Sequence, residues 1–253
     1  MHINIQPIEK LTQGFIGKLD VHSIFHTIQG EGPFCGTPAI FIRLAGCNLR
    51  CPGCDTDYTS TRRQMYPYEI LEALRLIPHK TKLIVVTGGE PFRQTMLRHL
   101  LYRLVRNKYY VQIETNGTLR PQNLITATNN KHKDLGPCGY NTNPCERNGV
   151  YIVVSPKAGR VHTSIWENAC CAKYVISHKD YNHNTGLPLH ALQHPANPHV
   201  AYPPNNFKKP VYLQPMDEQD KIYNERNLDL AVKCCLEHGY ILQLQVHKLI
   251  GVD

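Results

Sequence analysis

From Val21 onward the chain alternates short runs of β-branched and aromatic residues with amphipathic helical segments, and most runs end in a polar sequence bearing glycine or proline. Val21–Ile28 and Ala39–Leu44 read as strands. Pro67 opens a helix with Ile70, Ala73, Leu74 and Ile77 on one face. Leu83–Thr87 is a strand that runs into Gly88-Gly89, and Leu97, Leu100, Leu101, Leu104 and Val105 share one face of the next helix. Val111–Glu114 ends in Thr115-Asn116-Gly117, and Tyr151–Val154 in Ser155-Pro156-Lys157. Tyr174–Ser177 and Val211–Gln214 read as further strands. A last helix places Leu228, Ala231, Val232, Cys235 and Leu236 on its apolar face, Gly239 is its C-cap, and Ile241–Val246 closes the series as a strand. Such alternation implies α/β architecture with a mostly parallel sheet, in which chemistry gathers at the C-terminal strand ends. Thr-Gly-Gly-Glu-Pro, Glu-Thr-Asn-Gly, Ser-Pro-Lys and Gln-Pro-Met-Asp all fall at those ends, which argues for one site at one rim.

The 253 residues fit a single domain over 1–253, with loop insertions at 129–149 and 178–210, both rich in Asn and Pro. The longest apolar stretches, such as Leu83–Val86, are far too short for a membrane span. The first twenty residues carry Glu9, Lys10, Lys18 and Asp20 and lack the apolar core of a signal peptide. The ten cysteines are therefore expected to be reduced, in the cytoplasm. A net charge of +8 admits nucleic acid, an anionic small substrate or an acidic protein partner, yet no Lys/Arg run stands out. Arg98, Arg103, Arg106 and Lys108 read as the solvated face of a helix.

Three cysteines are grouped: Cys47-Asn-Leu-Arg-Cys51-Pro-Gly-Cys54, directly after a strand. A short loop of this spacing turns three thiolates toward one point, which suits zinc with a fourth ligand or an iron–sulfur cluster. The nearest downstream histidine for a zinc site is His79. A four-iron cluster held by three cysteines keeps one iron open to N and O donors.

The triplet resembles the cluster loop of radical S-adenosylmethionine enzymes, and Thr87-Gly88-Gly89-Glu90-Pro91 resembles that superfamily's second motif. In that superfamily the open iron chelates the methionine amino and carboxylate groups, one electron cleaves the S–C5′ bond, and a 5′-deoxyadenosyl radical abstracts a substrate hydrogen. Further segments narrow the resemblance to the 7-carboxy-7-deazaguanine synthase family: Phe25-His26-Thr27-Ile28-Gln29-Gly30-Glu31-Gly32, Phe41–Leu49, Cys54-Asp55-Thr56, Ser155-Pro156-Lys157, Gln214-Pro215-Met216-Asp217 and Gln245–Gly251. The resemblance spans from about residue 21 to the C-terminus. It implies an incomplete (β/α) barrel with a reduced helix set. The implied reaction is ring contraction of 6-carboxy-5,6,7,8-tetrahydropterin to 7-carboxy-7-deazaguanine with loss of ammonia, a step toward queuosine. It also implies a 4Fe-4S cluster, S-adenosylmethionine, Mg²⁺ and a homodimer.

Residue by residue, the resemblance makes Cys47, Cys51 and Cys54 the cluster ligands and Thr56 the magnesium ligand. Ile28, Gln29, Gly30, Glu31, Arg43 and Thr87 match substrate-binding positions; a guanidinium fork suits the substrate carboxylate. Gly53, Cys54, Asp55, Gly89, Glu90, Ser155, Pro156, Lys157, Gln214, Pro215, Met216 and Asp217 match positions around S-adenosylmethionine. Two departures stand out. Many members carry an aromatic residue just before the third cysteine, where this chain has Gly53, and about twenty residues precede Val21, more than many members have.

Seven cysteines lie outside the triplet; Cys235 reads as core, and Cys138 and Cys145 sit in a loop with His132. Two other functions remain to be weighed. A glycyl-radical-enzyme activase shares the triplet, but acting on a protein backbone needs no carboxylate clamp such as Arg43. A zinc-containing nucleic-acid module needs a clustered basic face and a fourth ligand, and the sequence displays neither. No direct nucleic-acid binding is expected. The basic surface instead suits a flavodoxin- or ferredoxin-type electron donor, which is generally acidic.

Overall fold

The computed structural model describes residues 4–12, 17–78, 80–121 and 149–252. The 129–149 segment, with Cys138, Cys145 and His132, lies outside them except for Gly149, and so does His79.

The strands are β1 (Leu19–Ile28), β2 (Pro38–Leu44), β3 (Arg63–Met65), β4 (Leu83–Gly88), β5 (Tyr110–Thr115), β6 (Val150–Val154), β7 (Ala169–Ile176), β8 (Val211–Pro215) and β9 (Ile241–Leu242). They form one open sheet in the order β3-β1-β2-β4-β5-β6-β7-β8-β9. β1 pairs antiparallel with β2 and β3, and every pairing from β2 to β9 is parallel. The helices are α1 (Pro67–Leu76), α2 (Leu97–Arg106), α3 (Thr163–Asn168), α4 (Lys221–His238) and α5 (Val246–Ile250). The expected mostly parallel α/β sheet with few helices is what the structure contains.

Strand periodicity divides the sheet into two faces. Ile42, Leu44, Ile84, Val86, Val111, Ile113, Ala172, Tyr174 and Leu213 belong to the main core, together with Leu71 and Leu74 of α1, Leu100 and Leu104 of α2 and Leu230 of α4. The residues between them, including Arg43, Thr87, Glu114, Lys173 and Gln214, take the opposite face because successive side chains alternate. One sequence pattern thus produces an apolar layer under the helices and, on the other side, a smaller apolar cluster of Ala39, Leu83, Val85 and Tyr110 with the polar residues nearer the C-terminal strand ends.

β3 and α5 have no counterpart in the sequence reading, and three further elements differ from it. In α4 the buried residues are Asn227, Leu230, Ala231 and Cys234, whereas Leu228, Val232 and Leu236 are exposed and Cys235 is half-buried. The fully buried Asn227 sets this rotation: its Nδ2 donates to the Met216 carbonyl at 2.9 Å and its Oδ1 accepts the His178 N–H at 2.8 Å. A buried polar anchor that satisfies rim backbone turns its own face of the helix inward. The closing strand ends at Leu242, because Gln243 turns inward to accept the Gly32 N–H at 2.7 Å and donate to the Gly30 carbonyl at 3.2 Å. Val246 N–H also donates to Gly30 O at 3.2 Å, so the chain after β9 joins the loop after β1 without sheet pairing. Finally, β7 begins at Ala169, after a short helix with no counterpart in the sequence reading, and buries Cys170 and Cys171.

Candidate active site

Gly46, with φ +82°, turns the chain out of β2 and starts the cysteine loop. Cys54 N–H closes a tight turn on the Cys51 carbonyl at 3.1 Å, and the Leu49 N–H donates to Cys47 Sγ at 3.4 Å. All three cysteines line one cleft of about 810 Å³. Burial pushes the Cys47 and Cys51 thiols up to about 12 and moves Cys54 the same way, and each nearby thiolate would raise its neighbours further. Thiols raised in this way are protonated near neutral pH, and coordination to a cation displaces the proton. Among the described residues no three His, Cys, Asp or Glu side chains are grouped to hold one metal ion.

The Gly88-Gly89 turn at the end of β4 lies against the root of this loop. A Cβ at Gly89 would stand 2.0 Å from the Gly46 carbonyl oxygen, and one at Gly88 (φ +127°) 2.0 Å from that of Leu44. Only glycine permits this approach. Glu90, fully buried, accepts from Phe92 N–H at 2.9 Å, Thr115 Oγ1 at 2.8 Å and Asn116 N–H at 2.8 Å. Its carboxylate thereby ties the end of β4 to the end of β5. Burial lifts its pKa to about 7, against the pull of those bonds and of Lys157.

The polar sheet face carries the rest. Arg43 sits opposite Thr87 across β2–β4 and lies 5.2 Å over the Phe25 ring. Its buried Nε has no partner. Thr87 Oγ1 donates to Glu114 Oε2 at 3.2 Å; Gln29 Nε2 and Gln112 Nε2 donate to Glu114 Oε1 at 3.2 and 3.0 Å. Glu31 is ion-paired with Lys173 and accepts from Gln245 Nε2 at 2.8 Å. Burial alone would raise the Glu31 carboxyl, but the Lys173 charge and these hydrogen bonds hold it well below the carboxylate range. Lys157 Nζ bonds Ser155 through its carbonyl, at 3.1 Å, and its hydroxyl. Burial first, then the Lys173 charge, brings Lys157 down to about 8. The buried Gln214 Oε1 has no partner.

Of the residues singled out in the sequence, Ile28, Gln29, Glu31, Arg43, Cys47, Cys51, Gly53, Cys54, Asp55, Thr56, Thr87, Gly89, Ser155, Lys157, Gln214, Met216 and Asp217 line the one cleft. Gly30, Glu90, Pro156 and Pro215 are not among its lining residues. Gly30 is glycine for a close approach: a Cβ there would meet His247 Nδ1 at 2.0 Å.

The sequence reading placed Glu114 in a rim motif and Gln245, His247 and Lys248 in the tail motif without giving them a role, and it passed over Lys173 and Leu192; all six also line the cleft. For Glu114 and Lys173 the available signal was a charge set between core positions of an apolar strand. Lys248 Nζ bridges Asp55 and Asp217 at 3.0 and 3.1 Å, joining the tail to the cysteine loop. Leu192 belongs to the 178–210 segment, which has no helix yet buries Leu187, Ala191 and Val200. Its carbonyl accepts the Gly53 N–H at 2.9 Å, and a Cβ at Gly53 would lie 3.3 Å from that oxygen and 3.2 Å from Met216 Cε. This segment therefore occupies the space beside Gly53.

Comparison with known proteins agrees with this geometry. The model of the radical SAM superfamily matches residues 41–127. The chain is 35% identical over 258 residues to the 7-carboxy-7-deazaguanine synthase of Rickettsia prowazekii, covering 98% of this chain and 94% of that one. It is 36% identical over 242 residues to that of Rhodospirillum rubrum, covering 92% of each. The crystal structure of QueE from Escherichia coli shares the fold with a TM-score of 0.61 at 21% identity, covering 90% of this chain and 94% of that one. With that identity over nearly the full length of both relatives, the chain belongs to the 7-carboxy-7-deazaguanine synthase family of radical S-adenosylmethionine enzymes.

Proposed function

We propose that this protein catalyses the radical ring contraction of 6-carboxy-5,6,7,8-tetrahydropterin to 7-carboxy-7-deazaguanine with loss of ammonia. The observation that carries the reading is a single cleft holding three thiols at one side and, on the polar sheet face, a guanidinium with an unpartnered buried Nε. An anionic ligand satisfies Arg43, and a heterocycle edge with alternating donors and acceptors suits Gln29, Glu31 and Glu114. When bound, the cluster and S-adenosylmethionine supply reductive one-electron chemistry that leads to hydrogen abstraction.

The chain's own residues then have these tasks. Cys47, Cys51 and Cys54 hold the cluster. Gly53, Asp55, Gly89, Ser155, Lys157, Gln214, Met216 and Asp217 surround S-adenosylmethionine, with Glu90, Pro156 and Pro215 shaping the backbone behind them. Arg43 clamps the substrate carboxylate, with Ile28, Gln29, Glu31 and Thr87 orienting the pterin. Gly30 lets the tail approach and complete the wall. The Thr56 hydroxyl, two residues after Cys54, is the Mg²⁺ ligand; product formation should respond to added Mg²⁺ and lose that response in Thr56→Val.

Three further parts of the reading rest on surface features. The +8 charge suits an acidic flavodoxin- or ferredoxin-type donor, so donor-supported turnover should fall with ionic strength. The exposed stripe Leu228, Val232 and Leu236 on α4, with Ile241 and Leu242 on the sheet edge, suits a homodimer contact. Leu236→Glu should then yield a monomer in sedimentation. No helix among the described residues is long and apolar enough to cross a membrane, and thiols that must stay reduced to hold a cluster suit the cytoplasm.

The test is anaerobic reconstitution with iron and sulfide, followed by S-adenosylmethionine, a reductant, Mg²⁺ and 6-carboxytetrahydropterin. The expected result is a deazapurine together with 5′-deoxyadenosine. A cluster-bearing protein that made neither would overturn the proposal.

A further inference from the structure

The segment Asn4–Glu9 precedes the first strand and lies on the cysteine loop with an inverted pattern. Its polar side chains face inward and its large apolar ones outward: Asn4 is 5% exposed, whereas Ile5 is 82% and Ile8 59% exposed. Apolar burial therefore does not hold it. Hydrogen bonds do, and most of them end on the loop that bears the thiols. Asn4 N–H donates to the Pro52 carbonyl at 2.9 Å, and Asn4 Nδ2 to the Cys51 carbonyl at 3.1 Å and the Tyr58 hydroxyl at 3.3 Å. Gln6 Nε2 donates to the Thr56 carbonyl at 2.9 Å, and Gln6 Oε1 accepts from Tyr58 N–H at 2.8 Å and Thr59 Oγ1 at 2.9 Å. Ile8 forms a parallel bridge with Cys47, and Glu9 N–H donates to the Cys47 carbonyl at 2.7 Å. The Glu9 carboxylate then pairs with Arg93, which also donates to the Ala45 carbonyl at 3.0 Å.

We propose that Asn4–Glu9 is a positioning strap: it satisfies the outward carbonyls of the cysteine loop and so fixes the backbone from which Cys47, Cys51 and Cys54 project into the cleft. A thiol-bearing loop without regular structure leaves its carbonyls to water or to a partner. Here the partner is the chain's own N-terminal segment, donating to the carbonyls of Cys47, Cys51, Pro52 and Thr56. Loss of these bonds should open the loop locally while the sheet stays folded, because the strap adds no large apolar side chain to the core. The consequence for the cluster rests on the proposed cofactor; the consequence for thiol exposure does not.

The test compares wild type with Asn4→Ala/Gln6→Ala, with Asn4→Asp, which removes the Nδ2 donor but keeps the Oδ1 that accepts Gln6 N–H, and with Ile5→Ala as a control on the same segment. In cluster-free protein, maleimide labelling of Cys47, Cys51 and Cys54 should be about tenfold faster in the double variant and severalfold faster in Asn4→Asp. Labelling of Cys171 and Cys234, the thermal midpoint and the Ile5→Ala control should stay near wild type. In reconstituted protein, iron loss to a chelator should accelerate in the same order. Triplet labelling and iron loss within about twofold of wild type in both strap variants would overturn the proposal. If the double variant did not fold, Asn4→Asp alone would decide. A wild-type protein that took up no cluster would sink the cofactor reading and leave the labelling experiment in force.

Discussion

Replacing Lys173 by Met should destabilise the protein by about 3–5 kcal/mol at pH 7, because it strands a buried carboxylate. Both partners are buried, at 8% exposure each. Glu31 is held at about 2 against an ordinary 4.5, although burial by itself raises it; the Lys173 charge and hydrogen bond and the Gln245 bond reverse the sign. Breaking a buried pair by removing one partner costs about 3–5 kcal/mol, because the remaining charge is left uncompensated. For a chain of this length a loss of about 3 kcal/mol lowers the melting temperature by roughly 6–12 °C. The double variant Lys173→Met/Glu31→Gln should regain most of the loss, since neither charge remains buried. Because the folded pKa of Glu31 is depressed, its contribution is complete above its unfolded pKa of 4.5 and fades as the pH falls toward 2. The gap between wild type and the double variant should therefore change mainly below about pH 5. In Lys173→Met the carboxyl is left desolvated, so acidification toward pH 5 should relieve part of its instability. The assay is urea unfolding followed by circular dichroism, across pH, on cluster-free protein. A single variant within about 1 kcal/mol of wild type at pH 7, or a double variant as unstable as the single one, would refute the reasoning.

Other consequences are equally specific. Cys51→Ala should retain the wild-type circular dichroism spectrum but lose reconstituted iron and both reaction products. Arg43→Gln should raise KM for the carboxypterin about ten- to a hundredfold with little change in melting temperature, since the Arg43 Nε bonds nothing in the protein; an unchanged KM would remove the carboxylate clamp. Gly89→Ala places a Cβ 2.0 Å from backbone oxygen and should cost about 3 kcal/mol or prevent folding. Gly53→Ala meets its nearest atoms at 3.2–3.3 Å and should cost about 1 kcal/mol or less, as read by the same urea titration.

Much of the site was legible in the chain because its motifs are contiguous and fall where strands end. Cys47 to Cys54, Thr87 to Pro91 and Ser155 to Lys157 each occupy a single turn, so their spacing alone brings them to the rim. Arg43 was legible for a related reason: a charge inside an apolar strand must face something polar. Glu114 and Lys173 carry the same signature, yet each gains meaning only from its partners. Glu31 and Lys173 are 142 residues apart in sequence, and Glu114 is 85 from Gln29. The α4 helix misled for a different reason. Its apolar stripe at Leu228, Val232 and Leu236 is real, but the buried hydrogen bonds of Asn227 outweigh it in setting the rotation.

The sequence by itself determined the parallel α/β order, the cysteine loop and the family, because periodicity and short motifs are local properties of the chain. Only the tertiary structure decided how the open sheet is completed, which face of α4 is buried, what fills the space beside Gly53 and what braces the cysteine loop. Those outcomes turn on which distant donor reaches which carbonyl or carboxylate. That satisfaction of buried polar groups is a property of the folded chain as a whole, and no window of residues contains it.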